Sequence, residues 1–271
     1  MAQSTQPSSS RTFTPVQQPA SPAKLLLGAL WLAATLIVLA IGFRQAIFIA
    51  PTEATMGDVQ RIFYWHVPSA LLGLIFPYVN FAASIAFLYL RRRNPLSALT
   101  ADAIAVAAAE VTVIFTTICL ATGMLWGKAS WGIWWAWDAR LTSLLLLWLL
   151  YVAYLMTRRL SATGQTGTIG AVISVFAAID VPIVYFSIQW WRTQHPSPVL
   201  TGEGHMAAPM WIAFGWNAVG WLMWGIFILV LRFALERRRQ RLDQEHTLRS
   251  LEATLTPADG LTYGQEPNHA S

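Results

Sequence analysis

The sequence predicts an all-α, polytopic membrane protein, a six-transmembrane-helix bundle with an outer-face loop rich in tryptophan. Three observations carry that expectation. Of the 271 residues, 55% are hydrophobic and only 11% are charged, less than half the roughly 25% charged share of a soluble domain. The apolar residues fall into six blocks close to or above the roughly 20 residues that a helix needs to cross a bilayer. Basic residues cluster between alternate blocks, the pattern that orients spans across a membrane.

Residues 1–24 are dominated by Ser, Pro, Gln and Thr. They carry too little apolar surface to fold and read as a disordered cytoplasmic tail. The first block, 25–50, is longer than a signal peptide's apolar core and has no clear small-residue cleavage site, so it is expected to remain as a span. Further spans are expected at about 65–90, 102–125, 141–157, 168–188 and 211–231, which makes 25–231 the membrane domain. Residues 232–271 begin as a basic helix and end in Pro, Gly and polar residues, a basic cytoplasmic tail.

Orientation follows from Arg and Lys. Arg11, Lys24, Arg91, Arg92, Arg93, Arg158, Arg159, Arg232, Arg237, Arg238, Arg239, Arg241 and Arg249 flank one side. Only Arg44, Arg61, Lys128, Arg140 and Arg192 fall on the other. Both termini are therefore expected in the cytoplasm, with connections near 51–64, 126–140 and 189–210 facing outward. The net charge of +5 is accounted for by this topology and needs no nucleic-acid partner. Cys119 is the single cysteine and lies in an apolar run, so the chain has no internal disulfide, no CxxC redox pair and no CxxCH haem attachment site.

The second outer connection reads WGKASWGIWWAWDAR. It places Trp126, Trp131, Trp134, Trp135 and Trp137 beside Lys128, Asp138 and Arg140. One tryptophan there would belong to the aromatic belt of any membrane protein. Five in so short a stretch, flanked by charges of both signs, exceed what anchoring requires and point to a ligand surface. Trp131, Trp134, Trp135 and Asp138 follow i, i+3, i+4, i+7 spacing, so an interfacial helix is expected to place them on one face. Haem suits such a platform: it has a wide apolar face, two propionates for Lys128, Arg140, Arg61 or Arg192, and an iron that takes protein ligands.

Histidine is the ligand to look for. His246 and His269 fall in the carboxy-terminal tail, where a solvated role is expected. His66 stands at the outer start of the second span and His195 just past the outer end of the fifth, so the two can meet on the tryptophan side and grip haem from above and below. Pro68 and Pro196 stiffen the two approaches. A lone membrane histidine is as readily explained by a hydrogen bond to a neighbouring helix, and His205, Met206 and Met210 rank behind His195 as the second ligand. Glu110 and Asp180 fall inside spans and are expected to make structural polar contacts, Glu110 with a Thr or Tyr of a neighbouring helix.

The segment WGKASWGIWWAWDARLTS resembles the WWD signature of the haem-handling proteins of cytochrome c biogenesis. RIFYWHVPSA and VPIVYFSIQWWRTQH look like the segments around the two haem-ligating histidines of the haem exporter protein C (CcmC) family. The resemblance covers roughly residues 25–231. It implies haem b with axial ligands His66 and His195 and a haem-contacting loop from Trp126 to Arg140. It further implies presentation of haem at the periplasmic face of a bacterial inner membrane to the haem chaperone CcmE, with the ATP-driven CcmAB complex and CcmD. That role is one of assembly, not of an enzyme. The alternatives are a short CcsA-like synthetase subunit, a bis-histidine electron-transfer cytochrome b, and a transporter; no GxxxxGK[ST] loop or clear inverted repeat supports the last.

Overall fold

The computed structural model describes residues 21–160, 166–195 and 206–255. Six helices carry the fold: α1 (Pro22–Arg44), α2 (Phe63–Leu90), α3 (Pro95–Trp131), α4 (Ala139–Leu160), α5 (Thr166–Trp190) and α6 (Ala208–Leu255). Each is long and apolar enough to cross a membrane, and the architecture is the expected all-α six-span bundle. Helices are the natural solution in lipid because each backbone N–H and C=O bonds within its own segment. Residues 1–20 of the expected tail 1–24 and residues 256–271 of the expected tail 232–271, the latter with His269, lie outside the described residues, as do Pro196 and His205.

Several boundaries differ from the sequence expectation for local reasons. Helix α1 starts at Pro22, inside the stretch read as a tail; proline at the first helical position gives up no intrahelical bond. Helix α3 starts at Pro95, where the Asn94 side chain accepts from the Ser97 amide at 3.1 Å, and it runs on to Trp131. Helix α6 continues through the basic stretch to Leu255. Its 48 residues make a rod of about 72 Å, more than twice the thickness of a hydrocarbon core.

The expected interfacial helix with Trp131, Trp134, Trp135 and Asp138 on one face does not form. Gly132 has φ 76° and caps α3 in the left-handed conformation, a geometry that glycine reaches without steric penalty. Trp131 therefore closes a helix, while Trp134, Trp135 and Trp137 lie on the irregular connection to α4.

Helix α3 is the most enclosed span. Its run of Ala101, Ala103, Ala105, Ala107, Ala108 and Ala109 is buried, and small side chains let neighbouring backbones approach closely where lipid supplies no hydrophobic drive to associate. Val106 and Ala109 pack with Leu147, Tyr151 and Tyr154 of α4 and with Ala177, Val181 and Val184 of α5. Leu72 and Phe76 of α2 pack with Val111 and Phe115 of α3, against Trp221 and Trp224 of α6. Helix α1 joins the bundle through α6, where the Asn217 side chain donates to the Gly42 carbonyl at 2.9 Å.

Polar groups inside the bundle are mostly paired. Asn80 of α2 donates to the Ala105 carbonyl of α3 at 2.7 Å and accepts from the Tyr151 hydroxyl of α4 at 3.3 Å. Glu110 forms an ion pair with Arg232 of α6 through two hydrogen bonds, so its partner is an arginine and not the expected Thr or Tyr. Asp102 pairs with Arg158 and accepts from Gln240. Asp180 is buried with one carboxylate oxygen unpartnered.

Asn80 links three helices at once, so Asn80→Leu, which removes both hydrogen bonds, is expected to destabilise the bundle by about 1 kcal/mol. Thermal unfolding of the detergent-solubilised protein, followed by circular dichroism, reads this as a lowered midpoint.

Candidate functional site

At one end of the bundle the connections 51–62, 132–138 and 191–195 overlie a cavity whose space, counted together with its open mouth, is about 990 Å³. Helix α2 contributes His66, Ala70 and Leu74, four residues apart and hence on one helical face. Helix α3 contributes a parallel stripe that includes Cys119, Gly123, Trp126 and Ser130. Trp135, Arg140, Gln194 and His195 close the polar side, and Met56 overhangs it.

His66 occupies the first turns of α2 and is 8% exposed. Its ring lies against α3. Nδ1 is 3.0 Å from Thr122 Oγ1, and Nε2 is 3.9 Å from Cys119 Sγ. A Cβ at Gly123 would stand 3.1 Å from His66 Cε1, so glycine there admits the imidazole. The Trp126 ring meets His66 edge to face, with centroids 5.5 Å apart.

His195 arrives from the other side of the cavity, five residues past the end of α5. The two imidazole centroids are 6.5 Å apart, with planes inclined by 33°. Asp138 holds the segment that carries His195. One carboxylate oxygen accepts from the Leu141 amide at 2.8 Å, capping the start of α4, and the other accepts from the Gln194 amide at 3.1 Å. The residue immediately before His195 is thus tied to the tryptophan connection.

Arg140 supplies the cavity's positive charge. It donates to the Val184 and Tyr185 carbonyls at 3.3 and 3.5 Å, distances near the limit for a hydrogen bond, and it forms no ion pair with a carboxylate among the described residues. The indole N–H of Trp135 is buried without a hydrogen-bond acceptor. Buried donors of this kind are uncommon, because leaving one unmade costs about 1–3 kcal/mol. Arg140 and Trp135 thus bring a cation and an unmade N–H donor to the lining of the same cavity.

Six of the ten site residues expected from the sequence line this one cavity: His66, His195, Trp126, Trp131, Trp135 and Arg140. Lys128, Trp134, Trp137 and Asp138 do not. Lys128 donates to the Gly132 carbonyl at 2.9 Å and sits 5.9 Å from the Trp134 ring centre, which braces the turn from outside. Trp137 is 78% exposed and packs edge to face on Trp135. Of the two further candidates for a propionate, Arg192 does not line the cavity, and Arg61 pairs with Asp58 and donates to the Ala46 and Ala50 carbonyls, satisfying backbone groups at the π-helical turn Gln45–Ile49.

Cys119, Thr122, Gly123 and Gln194 are the residues that sequence reasoning missed. The spacing Cys119, Thr122, Gly123 is i, i+3, i+4, one face of a helix. That signal was present in the chain, but it is indistinguishable from ordinary small-residue packing until His66 is placed beside it. The turn Glu53–Gly57 that carries Met56 is held by the Glu53 carboxylate, which accepts from the Met56 and Thr55 amides at 2.5 and 2.8 Å. The Met56 amide is the main reason the Glu53 carboxyl titrates below its ordinary range.

Comparison with known proteins matches residues 12–248 to the family described as heme exporter protein C. A heme exporter protein C from Bradyrhizobium diazoefficiens is 40% identical over 177 residues, 64% of this chain and 65% of the relative, so the match spans just under two thirds of that protein. The heme exporter protein C of Escherichia coli K12 is 31% identical over 225 residues, 77% of this chain and 85% of the relative. A ccmC-like mitochondrial protein of cytochrome c biosynthesis from Marchantia polymorpha is 31% identical over 229 residues, 80% and 92% of the two chains. With a matched region that takes in helices α1 to α5, helix α6 as far as residue 248 and the whole cavity, the chain belongs to the heme exporter protein C family.

Proposed function

We propose that this chain binds haem b between His66 and His195 at the periplasmic face of the inner membrane and delivers it to the haem chaperone CcmE during maturation of c-type cytochromes. The spacing of the two imidazoles carries the reading. Two nitrogen–metal bonds of about 2 Å, extended by the distance from each nitrogen to its ring centre, call for centroids roughly 6 Å apart. The rings stand 6.5 Å apart in one cavity. That separation suits one iron held by both rings.

The remaining groups suit haem as cargo. Trp126, Trp131 and Trp135 offer apolar and aromatic surface to the porphyrin. Arg140 and the Trp135 indole N–H receive a propionate carboxylate, the one by charge and the other by hydrogen bond. Lys128, braced on the outside of the turn, meets a propionate only beyond the cavity mouth. Two axial histidines leave iron no open position for oxygen chemistry, so the site holds haem and does not catalyse.

Placement of the ligands supports assembly over electron transfer. A membrane cytochrome b buries its haem among spans, whereas here one histidine lies in the first turns of a span and the other beyond the end of one. Arg91, Arg92 and Arg93 follow α2, and Arg158 and Arg159 close α4, at the end opposite the cavity. The positive-inside rule sets that end in the cytoplasm and the tryptophan connection in the periplasm. The ATP-driven CcmAB complex and CcmD are the partners that the resemblance to this family suggests for presentation of haem there.

The test is the absorption spectrum of the purified, haem-loaded protein. A six-coordinate low-spin spectrum is expected. His66→Ala and His195→Ala should each convert it to a high-spin form or lose haem, and an unchanged spectrum and occupancy in either variant removes that residue from the ligand set.

Arg140→Ala should weaken haem retention more than Lys128→Ala, because only Arg140 lines the cavity; equal losses on titration with haem would overturn the ranking. In Asp138→Asn the amide nitrogen replaces one carboxylate oxygen and forfeits a charge-assisted bond worth about 1.5–3 kcal/mol. Haem affinity is then expected to fall by roughly 10- to 100-fold, with the helical content unchanged.

A further inference from the structure

We infer that Thr122 is a positioning residue that fixes His66 in the tautomer whose Nε2 carries the lone pair, readying it for a metal. The inference rests on the reading of His66 as a haem ligand and adds a residue outside the ligand set.

A hydroxyl has one proton to give and two lone pairs. Thr122 Oγ1 lies 2.7 Å from the Ile118 carbonyl and 3.2 Å from the Cys119 carbonyl of its own helix. That back-bond to the preceding turn is the usual use of a threonine proton inside a membrane helix. With its proton spent there, the oxygen can only accept from His66 Nδ1, 3.0 Å away. The proton of the neutral ring therefore sits on Nδ1, and the lone pair is left on Nε2.

Helix α3 contains a second example of the same arrangement in which the direction is unambiguous. Thr117 gives its proton to the Val113 carbonyl at 2.6 Å, and its oxygen accepts from the Trp148 indole at 2.8 Å. An indole N–H can only donate. Thr112 and Thr116 also bond back to carbonyls four residues earlier, at 2.9 and 2.7 Å. Thr122 thus does for His66 what Thr117 does for Trp148.

The surroundings hold the ring in that orientation. Gly123 leaves room at Cε1, and any larger residue would press on it at 3.1 Å. Cys119 Sγ faces Nε2 at 3.9 Å, a soft neighbour that a metal ion can displace from Nε2. A hydrogen bond from the far nitrogen of a ligating histidine orients the ring and raises its basicity. Helix α3, which supplies no haem ligand, in this way sets the ligand on α2.

The experiment compares Thr122→Val, Thr122→Ala and Thr122→Ser in the full-length protein in detergent. Two readouts are used: side-chain nitrogen resonances of 15N-histidine-labelled, haem-free protein, with the His66 signal assigned by its absence in His66→Ala, and haem affinity with midpoint potential after loading. Wild type and Thr122→Ser should show a single Nδ1–H tautomer at His66. Thr122→Val and Thr122→Ala should show mixed tautomers, a 10- to 100-fold weaker haem affinity and an upward shift in midpoint potential as the ligand loses basicity. An unchanged tautomer together with unchanged affinity in both Val and Ala variants overturns the inference. A His66→Ala protein with wild-type haem binding overturns the ligand reading instead, and the haem-free resonances still report on Thr122.

Discussion

The contact between α2 and α3 governs everything at the cavity end of this protein. The two helices lie close enough for the Asn80 side chain to reach the Ala105 backbone, and for a Cβ on Gly73 to fall 3.0 Å from Thr116. Small residues make that approach possible, and in lipid close packing and interhelical hydrogen bonds do the work that hydrophobic burial does in water. Followed toward the site, the same contact brings His66 onto the face formed by Cys119, Thr122 and Gly123. The orientation of one imidazole is a consequence of helix packing many residues away.

The second imidazole is held by different means. His195 stands on a short irregular segment beyond α5, and its register comes from the Asp138 carboxylate, which caps α4 and accepts from the Gln194 amide at once. A histidine seated between two packed helices moves only if the bundle moves.

The tryptophan-rich connection divides its labour. Trp126, Trp131 and Trp135 face the cavity, while Trp134 and Trp137 face outward, the former beside Lys128. The left-handed turn at Gly132 produces the division, because it breaks the helical register that would have aligned Trp131, Trp134 and Trp135. Exposed indoles at this level of the bundle are the ordinary aromatic anchors of a membrane surface, so the same stretch both lines the cavity and presents anchoring indoles outside it.

Six spans and the crowding of tryptophans beside two histidine-bearing connections were legible from residue order alone. Length and apolarity settle whether a segment crosses a bilayer, since the solvent imposes one demand on every backbone group. The residue types of the cavity were legible too, because aromatic and charged residues are scarce enough in such a chain to stand out. Only the folded bundle decided that Arg140 faces inward and Lys128 outward, that Asp138 braces His195, and that Glu110 answers Arg232. These depend on where segments distant in the chain come together, Asp138 with Gln194 across 56 residues and Glu110 with Arg232 across 122. Spacing along one helix states which side chains share a face, and the neighbour that the face meets is set by packing between segments.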